Sequence, residues 1–306
     1  MTRKRRKRPR AGTSGDGSRV AKPQPKEAAA ATPTRLGPGV FPTFRSSMAG
    51  GIVAATASPV VIALPFVFVL LIWLGLQALG LEVFPAAMVQ ALAIPPVGSS
   101  FDFSAAATIY GINGAAFALI VGLTIVRSVI WSLLVGMLDE ALEYRSVSLV
   151  GVLRGLRAFP AILVYDYLSF AIVLIGTFFV PVFLGSSIGQ TSTLLSMIGG
   201  LFFLAFVPAA AVRLQLSPRE AVARSSKAAR LPGWPRHLLM VVVYFLLSQI
   251  VVFLSPGASQ ITNNPGIATW AFVLAGTFLN MVFLGALIHR WKAVEDVVPS
   301  QARRRR

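Results

Sequence analysis

The stretch GAAFALIVGLTIVRSVIWSLLVGML, residues 114–138, contains a single charged residue, Arg127, in 25 positions. At about 1.5 Å of helical rise per residue, such a run can cross the roughly 30 Å hydrocarbon layer of a bilayer. The whole chain is similar in character, because 55% of its 306 residues are hydrophobic, 13% are charged and the mean hydropathy is +0.73. Soluble domains carry about 25% charged residues. The composition therefore predicts an all-α protein that crosses a membrane several times.

Five further apolar runs are long enough to cross a bilayer, so we predict a bundle of about six transmembrane helices. The six spans lie near 53–79, 114–138, 160–184, 195–213, 237–255 and 268–289. Segment 81–112 is moderately apolar, but it is interrupted by Pro85, Pro95 and Pro96. Because proline breaks a helix interior, we predict an outer loop here, with at most a short helix lying in the membrane interface.

Lysine and arginine are sorted between alternate loops. Residues 1–51 hold twelve and the tail after span six holds six, while the 139–159 and 213–236 loops hold three and six. The intervening loops, 80–113, 185–194 and 256–267, hold none. Basic loops face the cytoplasm, so we predict a multi-pass protein of the cell (inner) membrane with both termini cytoplasmic. Alanine- and arginine-rich usage with few lysines is typical of a high-GC bacterium.

The ends of the chain differ in composition from the apolar domain. Residues 1–48 form a basic segment rich in proline, glycine and alanine with little to bury, which predicts a disordered cytoplasmic tail. Residues 49–290 form the predicted six-span domain, and residues 291–306 form a second basic cytoplasmic tail.

Arg127 lies about 18 Å from Asp139 at helical rise, which is too deep in span two for its side chain to reach the headgroups fully. Asp166, in VYDYLSF, is the only acid inside any predicted span, at a similar depth in span three. An unpaired charge in lipid is costly, so we predict an Arg127–Asp166 ion pair that fixes helix packing. Three alternatives remain: a gating or substrate-contact role for the pair, a water-filled crevice that Arg127 faces, or a lipid phosphate that Arg127 meets.

Two of the predicted cytoplasmic loops contain short amphipathic helices. In SVSLVGVLRGLRAFP (146–160), leucines share a face beside Arg154 and Arg157. In LSPREAVARSSKAARLPGWPRH (216–237), a capping box at Ser217 precedes a basic stripe formed by Arg224, Lys227 and Arg230. We predict that both helices lie on the inner leaflet, where these cations contact anionic phospholipid or another membrane protein. Their similarity favours an interpretation as duplicated helical hairpins, 114–184 and 195–255.

The segment FVPAAAVRLQLSPREAVARSSKAARLPGWPRHLLM (206–240) resembles bacterial six-span proteins related to the membrane domain of glycerophosphoryl diester phosphodiesterases. Those proteins carry a proline near the end of a span, an A-x-x-R-S segment, a basic helix and an aromatic residue before the next span. The matching positions are Pro208, Ala221, Arg224, Ser225, Arg230 and Trp234. The resemblance covers about residues 110–290 and implies a membrane architecture without a reaction, because the phosphodiesterase catalytic domain is absent.

The sequence contains no catalytic or cofactor motif in the structural context that its chemistry needs. GSSIG (185–189) matches G-x-S-x-G, but it follows a membrane span rather than a strand, and His289 lies about 30 Å away at the other surface. The chain has no cysteine, two histidines and no phosphate-binding loop, so we predict no cofactor, no metal and no enzyme activity. The acids at 139–143 are predicted to form a solvated helix end. The basic tail lacks interleaved aromatics, so lipid is favoured over nucleic acid as its partner.

Two functional hypotheses follow from these patterns. The first is a non-catalytic scaffold, assembly or regulatory component of the membrane with a basic cytoplasmic face. The second is a small-solute or lipid transporter with Arg127 and Asp166 in its path. A transporter predicts a polar cavity around both residues, whereas a scaffold predicts a closed and dry pair.

Overall fold

A computed structural model describes residues 41–79, 85–111, 113–254 and 266–298. These residues form α-helices without any strand, and six helical segments are long and apolar enough to cross a membrane. Those segments are Val60–Ala78, Gly114–Tyr144, Phe159–Leu184, Gly189–Leu214, Trp234–Val251 and Ile267–Val294. The predicted all-α, six-span fold is confirmed, with span boundaries that differ from the predicted ones by a few residues.

Twelve α-helices are present in the described residues. They are α1 Phe44–Thr56, α2 Val60–Ala78, α3 Val97–Tyr110, α4 Gly114–Tyr144, α5 Leu149–Arg157, α6 Phe159–Leu174, α7 Val180–Leu184, α8 Gly189–Leu204, α9 Val207–Leu214, α10 Pro218–Ala229, α11 Trp234–Phe253 and α12 Ile267–Val294. A π-helical turn, Ile175–Phe179, joins α6 to α7, and a 3₁₀ helix, Pro85–Leu92, precedes α3. The third span is therefore α6 to α7, and the fourth is α8 with α9.

The fourth span is interrupted between α8 and α9, where Pro208 removes a backbone donor. The hydroxyl of Ser225, on α10, supplies hydrogen bonds to the backbone at this break. It accepts from the Phe206 N–H at 3.1 Å and donates to the Phe203 carbonyl at 2.8 Å. The same contacts fix α10 against the end of the span. Spans two to three and four to five thus share one order of elements, a span, a short helix and a returning span.

The helical fold begins inside the segment that the sequence assigns to the tail. Phe41 is fully buried and α1 starts at Phe44, whereas residues 1–40 of the predicted tail lie outside the described residues. α1 packs tightly on α12, and a Cβ placed on Gly51 would lie 2.0 Å from the Val282 carbonyl oxygen. At the other terminus, α12 and the turn after it continue to residue 298, and residues 299–306 lie outside the described part.

The segment predicted as an outer loop lies inside the bundle, so that prediction was wrong. The 3₁₀ helix Pro85–Leu92 and α3 form a re-entrant hairpin, residues 85–110, which packs against α4, α6, α11 and α12. Its turn contains the buried Ile94 and a cis Pro95–Pro96 peptide bond. Because the Tyr244 hydroxyl contacts Ile94, about 15 Å along α11 from Trp234, the turn reaches the middle of the bundle.

One end of the bundle carries the cations of the described loops. We call it the basic end; it comprises the carboxyl ends of α4, α9 and α12 together with α5 and α10. α5 lies against α4 at very short range, since a Cβ on Gly155 would lie 2.0 Å from the Ser132 carbonyl oxygen. Small residues permit this approach, which turns the opposite face of α5 outward.

Candidate functional site: a buried arginine cluster

The structure brings Arg127 and Asp166 together in the interior. The Arg127 Nη2 donates to Asp166 Oδ1 at 2.7 Å, and Nε donates to both carboxylate oxygens at 3.1–3.2 Å. Ser128, the next residue on α4, donates its hydroxyl to Asp166 Oδ2 at 2.8 Å. Both charged side chains are about 1% exposed. A fork of this kind is the strong geometry for a guanidinium and a carboxylate.

A second carboxylate, Asp102, contacts the same guanidinium and was missed from the sequence. Asp102 Oδ2 lies 2.5 Å from Arg127 Nη1, and the Asp102 side chain is only 3% exposed. Ser99, one helical turn earlier on α3, accepts from Arg127 Nη2 at 3.3 Å. We call Arg127, Asp102, Asp166, Ser99 and Ser128 the Arg127 cluster. It joins α4 and α6 to the re-entrant hairpin.

The face of α4 that surrounds Arg127 is closed. Thr124, Ser128, Trp131 and Ser132 are each at most 1% exposed, as expected for a stripe that contacts other helices. Two small cavities in the described ranges are lined almost wholly by apolar side chains, and neither touches Arg127, Asp102 or Asp166. Because the three charged side chains are at most 3% exposed, the cluster is an enclosed junction between helices.

Polar side chains from three spans satisfy the non-helical backbone of the hairpin. The Tyr244 hydroxyl accepts from the Ile94 N–H at 2.7 Å and donates to Asn280 Oδ1 at 2.8 Å. The Asn280 amide nitrogen donates to the Val89 carbonyl at 3.1 Å, and the Tyr165 hydroxyl donates to the Pro95 carbonyl at 2.7 Å. Irregular backbone is tolerated at membrane depth only where protein or water satisfies it, and here side chains do so.

A second ionic cluster lies at the basic end, where a solvated acidic helix end was predicted; that prediction was wrong. Asp139 is fully buried and accepts from Arg213 Nη1 at 2.5 Å and from Arg154 Nη1 at 3.3 Å. Arg213 also donates to Glu295, from Nε at 2.8 Å and from Nη2 at 3.0 Å. One arginine at the end of α9 thereby ties together the ends of α4 and α12.

Glu140, the neighbour of Asp139, is also buried, because it caps the next helix. Its carboxylate accepts from the Ser148 hydroxyl at 2.5 Å and from the backbone N–H groups of Ser148 and Gly151 at 2.9 and 3.1 Å. These N–H groups belong to the start of α5, where an acidic side chain is favourable. Glu140 therefore anchors the short surface helix to the end of span two.

The five cations assigned to lipid or partner contact fall into two groups. Arg154 is partly buried in its ion pair with Asp139, and Arg224 is partly buried on α10. Arg157, Lys227 and Arg230 are exposed, and Arg230 also lies 5.5 Å from the centre of the Phe203 ring. Within the described chain, Arg157 and Lys227 form no ion pair.

The residues that could have suggested catalysis are separated from one another. Ser187 is exposed on the 3₁₀ turn Ser186–Ile188, at the end of the bundle opposite the basic end. His237 is buried at the basic end, where a ring nitrogen contacts the Phe202 carbonyl oxygen at 3.0 Å and the ring stacks on Phe206. A search of the described residues for three clustered metal-ligating side chains finds none.

The fold and the cluster define a class: a multi-pass α-helical membrane protein that carries a re-entrant hairpin. Comparison of the chain with protein-family models, with curated proteins and with solved structures finds no match. The resemblance of residues 206–240 to phosphodiesterase membrane domains therefore stays a prediction.

Proposed function

We propose that this protein is a non-catalytic scaffold, assembly or regulatory component of a bacterial inner membrane, with both termini in the cytoplasm. Its basic end faces the cytoplasmic leaflet. There it binds anionic phospholipid, or a membrane partner with a negatively charged surface. The observation that carries the proposal is the outward face of α5, which combines exposed apolar side chains with the exposed Arg157.

The exposed face of α5 is suited to the headgroup region of a bilayer. Leu149, Val150 and Leu153 are 71%, 62% and 46% exposed, and Leu156 lies beside the exposed Arg157. Helices with such faces lie flat in the interface, with leucine in the acyl region and arginine at phosphate depth. Lys227 on α10 and Arg230, directly after α10, are further exposed cations at the same end of the bundle.

The proposal predicts selective binding of anionic lipid by the full-length protein. Arg157→Gln combined with Lys227→Gln removes two exposed cations that support no ion pair among the described residues. At about 1 kcal/mol for each cation, the affinity for phosphatidylglycerol should fall roughly 30-fold. Native mass spectrometry from detergent solution measures that affinity directly.

Two comparisons make this result decisive. The charge-preserving variant Arg157→Lys/Lys227→Arg should retain the affinity for phosphatidylglycerol, and binding of phosphatidylcholine should be the same in all three proteins. Equal losses for both lipids, or no loss for either, would contradict a role for the basic end in recognising anionic headgroups.

A transporter is the second candidate, and the re-entrant hairpin favours it. Transporters place interrupted helices and irregular backbone at the middle of the membrane, where substrates bind. The hairpin turn at Ile94–Pro95 has that position, next to Asp102 and Arg127. In a transporter, the enclosed Arg127 cluster corresponds to an occluded state of a substrate path through the bundle.

Water access separates the two candidates. The chain has no cysteine, so Thr124→Cys or Ser169→Cys would introduce a single thiol on the buried faces of α4 and α6. A scaffold predicts no reaction of either thiol with a charged methanethiosulfonate reagent, whereas Ser187→Cys, at an exposed turn, should react completely. Modification of the two buried thiols from either side of the membrane would favour transport.

A further inference from the structure

The Arg127 cluster contains one cation and two carboxyl groups. Both carboxyl groups contact the same guanidinium, and all three side chains are at most 3% exposed. If both were ionised, the cluster would carry one negative charge in the middle of a membrane protein. The amino end of α3 supplies about half a positive charge, which offsets only part of it. A residual charge in this environment is expensive.

The two carboxyl groups are engaged to different degrees. Asp166 accepts directed hydrogen bonds from two nitrogens of Arg127 and from Ser128. Asp102 Oδ2 is close to Arg127 Nη1, but neither atom makes an aligned hydrogen bond in the described structure. Asp166 is therefore the ionised partner of the fork, and Asp102, which has a close contact but no aligned hydrogen bond to the guanidinium, is the carboxyl group left over once Asp166 has neutralised Arg127.

We propose that the Arg127 cluster is a proton-binding site, in which Asp102 holds one proton and makes the cluster neutral. The proton comes from water as the hairpin packs into the bundle. It sits on Oδ1, because Oδ2 faces the guanidinium nitrogen, which is itself a donor. This assignment depends on charge and geometry alone, so it applies to a scaffold and to a transporter equally.

The surroundings of Asp102 support this assignment. Asp102 contacts Arg127, from α4, and the same guanidinium holds Asp166, from α6; the buried Thr124 lies on the same face of α4 as Arg127. Tyr165, next to Asp166, directs its hydroxyl to the Pro95 carbonyl of the hairpin. In the part of the chain that the structure describes, these groups supply no second cation to balance Asp102.

Infrared spectroscopy of the full-length protein in lipid nanodiscs tests the proposal. A protonated carboxyl group has a carbonyl-stretch band that a carboxylate lacks, and the wild-type protein should show one at neutral pH. The band should be missing in Asp102→Asn. It should also be missing in Asp166→Asn, because Asp102 then becomes the sole counter-ion of Arg127 and ionises. Glu143→Gln, which changes a partly exposed carboxylate at the basic end, should keep the band.

Stability provides a second readout. Asparagine is nearly isosteric with a protonated aspartic acid, so Asp102→Asn should change the unfolding equilibrium constant by less than about tenfold. Asp166→Asn should change it by roughly 100-fold, because it disrupts the fork of hydrogen bonds to Arg127 and leaves the contact with Asp102 as the one charge pair of the cluster. Raising the pH should destabilise the wild type, since an aspartate exposed by unfolding releases its proton. Asp102→Asn should remove that dependence.

Two results would overturn the proposal. One is the absence of the band from the wild-type spectrum, which can be established even if a variant fails to fold; if the stability then depends on sodium concentration, a metal cation is the balancing charge. The other is a band that survives in Asp102→Asn, because the proton would then lie elsewhere.

Discussion

Single replacements of Arg127 and Asp166 should lower the free energy of unfolding by unequal amounts, and the two losses should not add in the double variant. Asp166→Asn leaves Arg127 in contact with Asp102, which can ionise in response, so we expect a loss of about 3 kcal/mol in the free energy of unfolding. Arg127→Gln leaves two carboxyl groups without any cation and should cost about 3–5 kcal/mol. The double variant removes one charge of each sign, so its loss should be about 2 kcal/mol smaller than the sum.

Reversible unfolding of the full-length protein in mixed micelles measures all three free energies. The matched control combines Asp166→Asn with Ser192→Ala, which removes a hydroxyl that donates to the Gly176 carbonyl at 2.6 Å. Gly176 lies ten residues from Asp166 on the third span, about 15 Å at helical rise, and changes at such distances usually add. If the losses for Arg127→Gln and Asp166→Asn also add, the ion pair is not an energetic unit and the account of the cluster fails.

Three further substitutions, two at the basic end and one at the hairpin, are tested by the same unfolding measurement, and the first two each have a matched control. Gly155→Ala should cost at least about 1–3 kcal/mol by forcing α5 from α4, whereas Gly199→Ala, with open space at its Cβ, should be neutral or stabilising. Arg213→Gln should cost about 3 kcal/mol, because the buried Asp139 loses its shorter ion pair. Its control, Arg157→Gln, should change the free energy of unfolding by less than about 0.5 kcal/mol. Tyr244→Phe should cost about 1–3 kcal/mol, because the buried Ile94 N–H loses its hydrogen-bond acceptor.

The six spans could be predicted from the sequence, because long apolar runs have few alternatives to crossing a membrane. α1 could not be predicted in the same way. It packs on α12 through small residues, where Gly51 and Ala54 meet Gly285 at close range. Hydropathy averages scarcely register such contacts, because their stabilisation comes from the close approach of two backbones rather than from large apolar side chains.

The re-entrant hairpin was missed for a different physical reason. A broken backbone was assumed to lie in water, because prolines leave carbonyl groups without helical partners. In the folded protein, Tyr165, Tyr244 and Asn280 supply partners from within the spans. A usable signal was present in the sequence: Asp102 lies in a moderately apolar segment between two spans, and Tyr165, Tyr244 and Asn280 are polar side chains within otherwise apolar spans.

Arg127 and the hairpin depend on each other physically. Without the hairpin, Arg127 would retain Asp166 but would lose Asp102 and Ser99, and its Nη1 would face space that α3 now fills. Without Arg127, the hairpin would bring a carboxyl group into the middle of the bundle next to another carboxyl group. Each element is costly in the interior alone, and each removes part of the cost of the other. An arginine in an apolar span is therefore an indication to search the adjoining loops, as well as the other spans, for the acid that accompanies it.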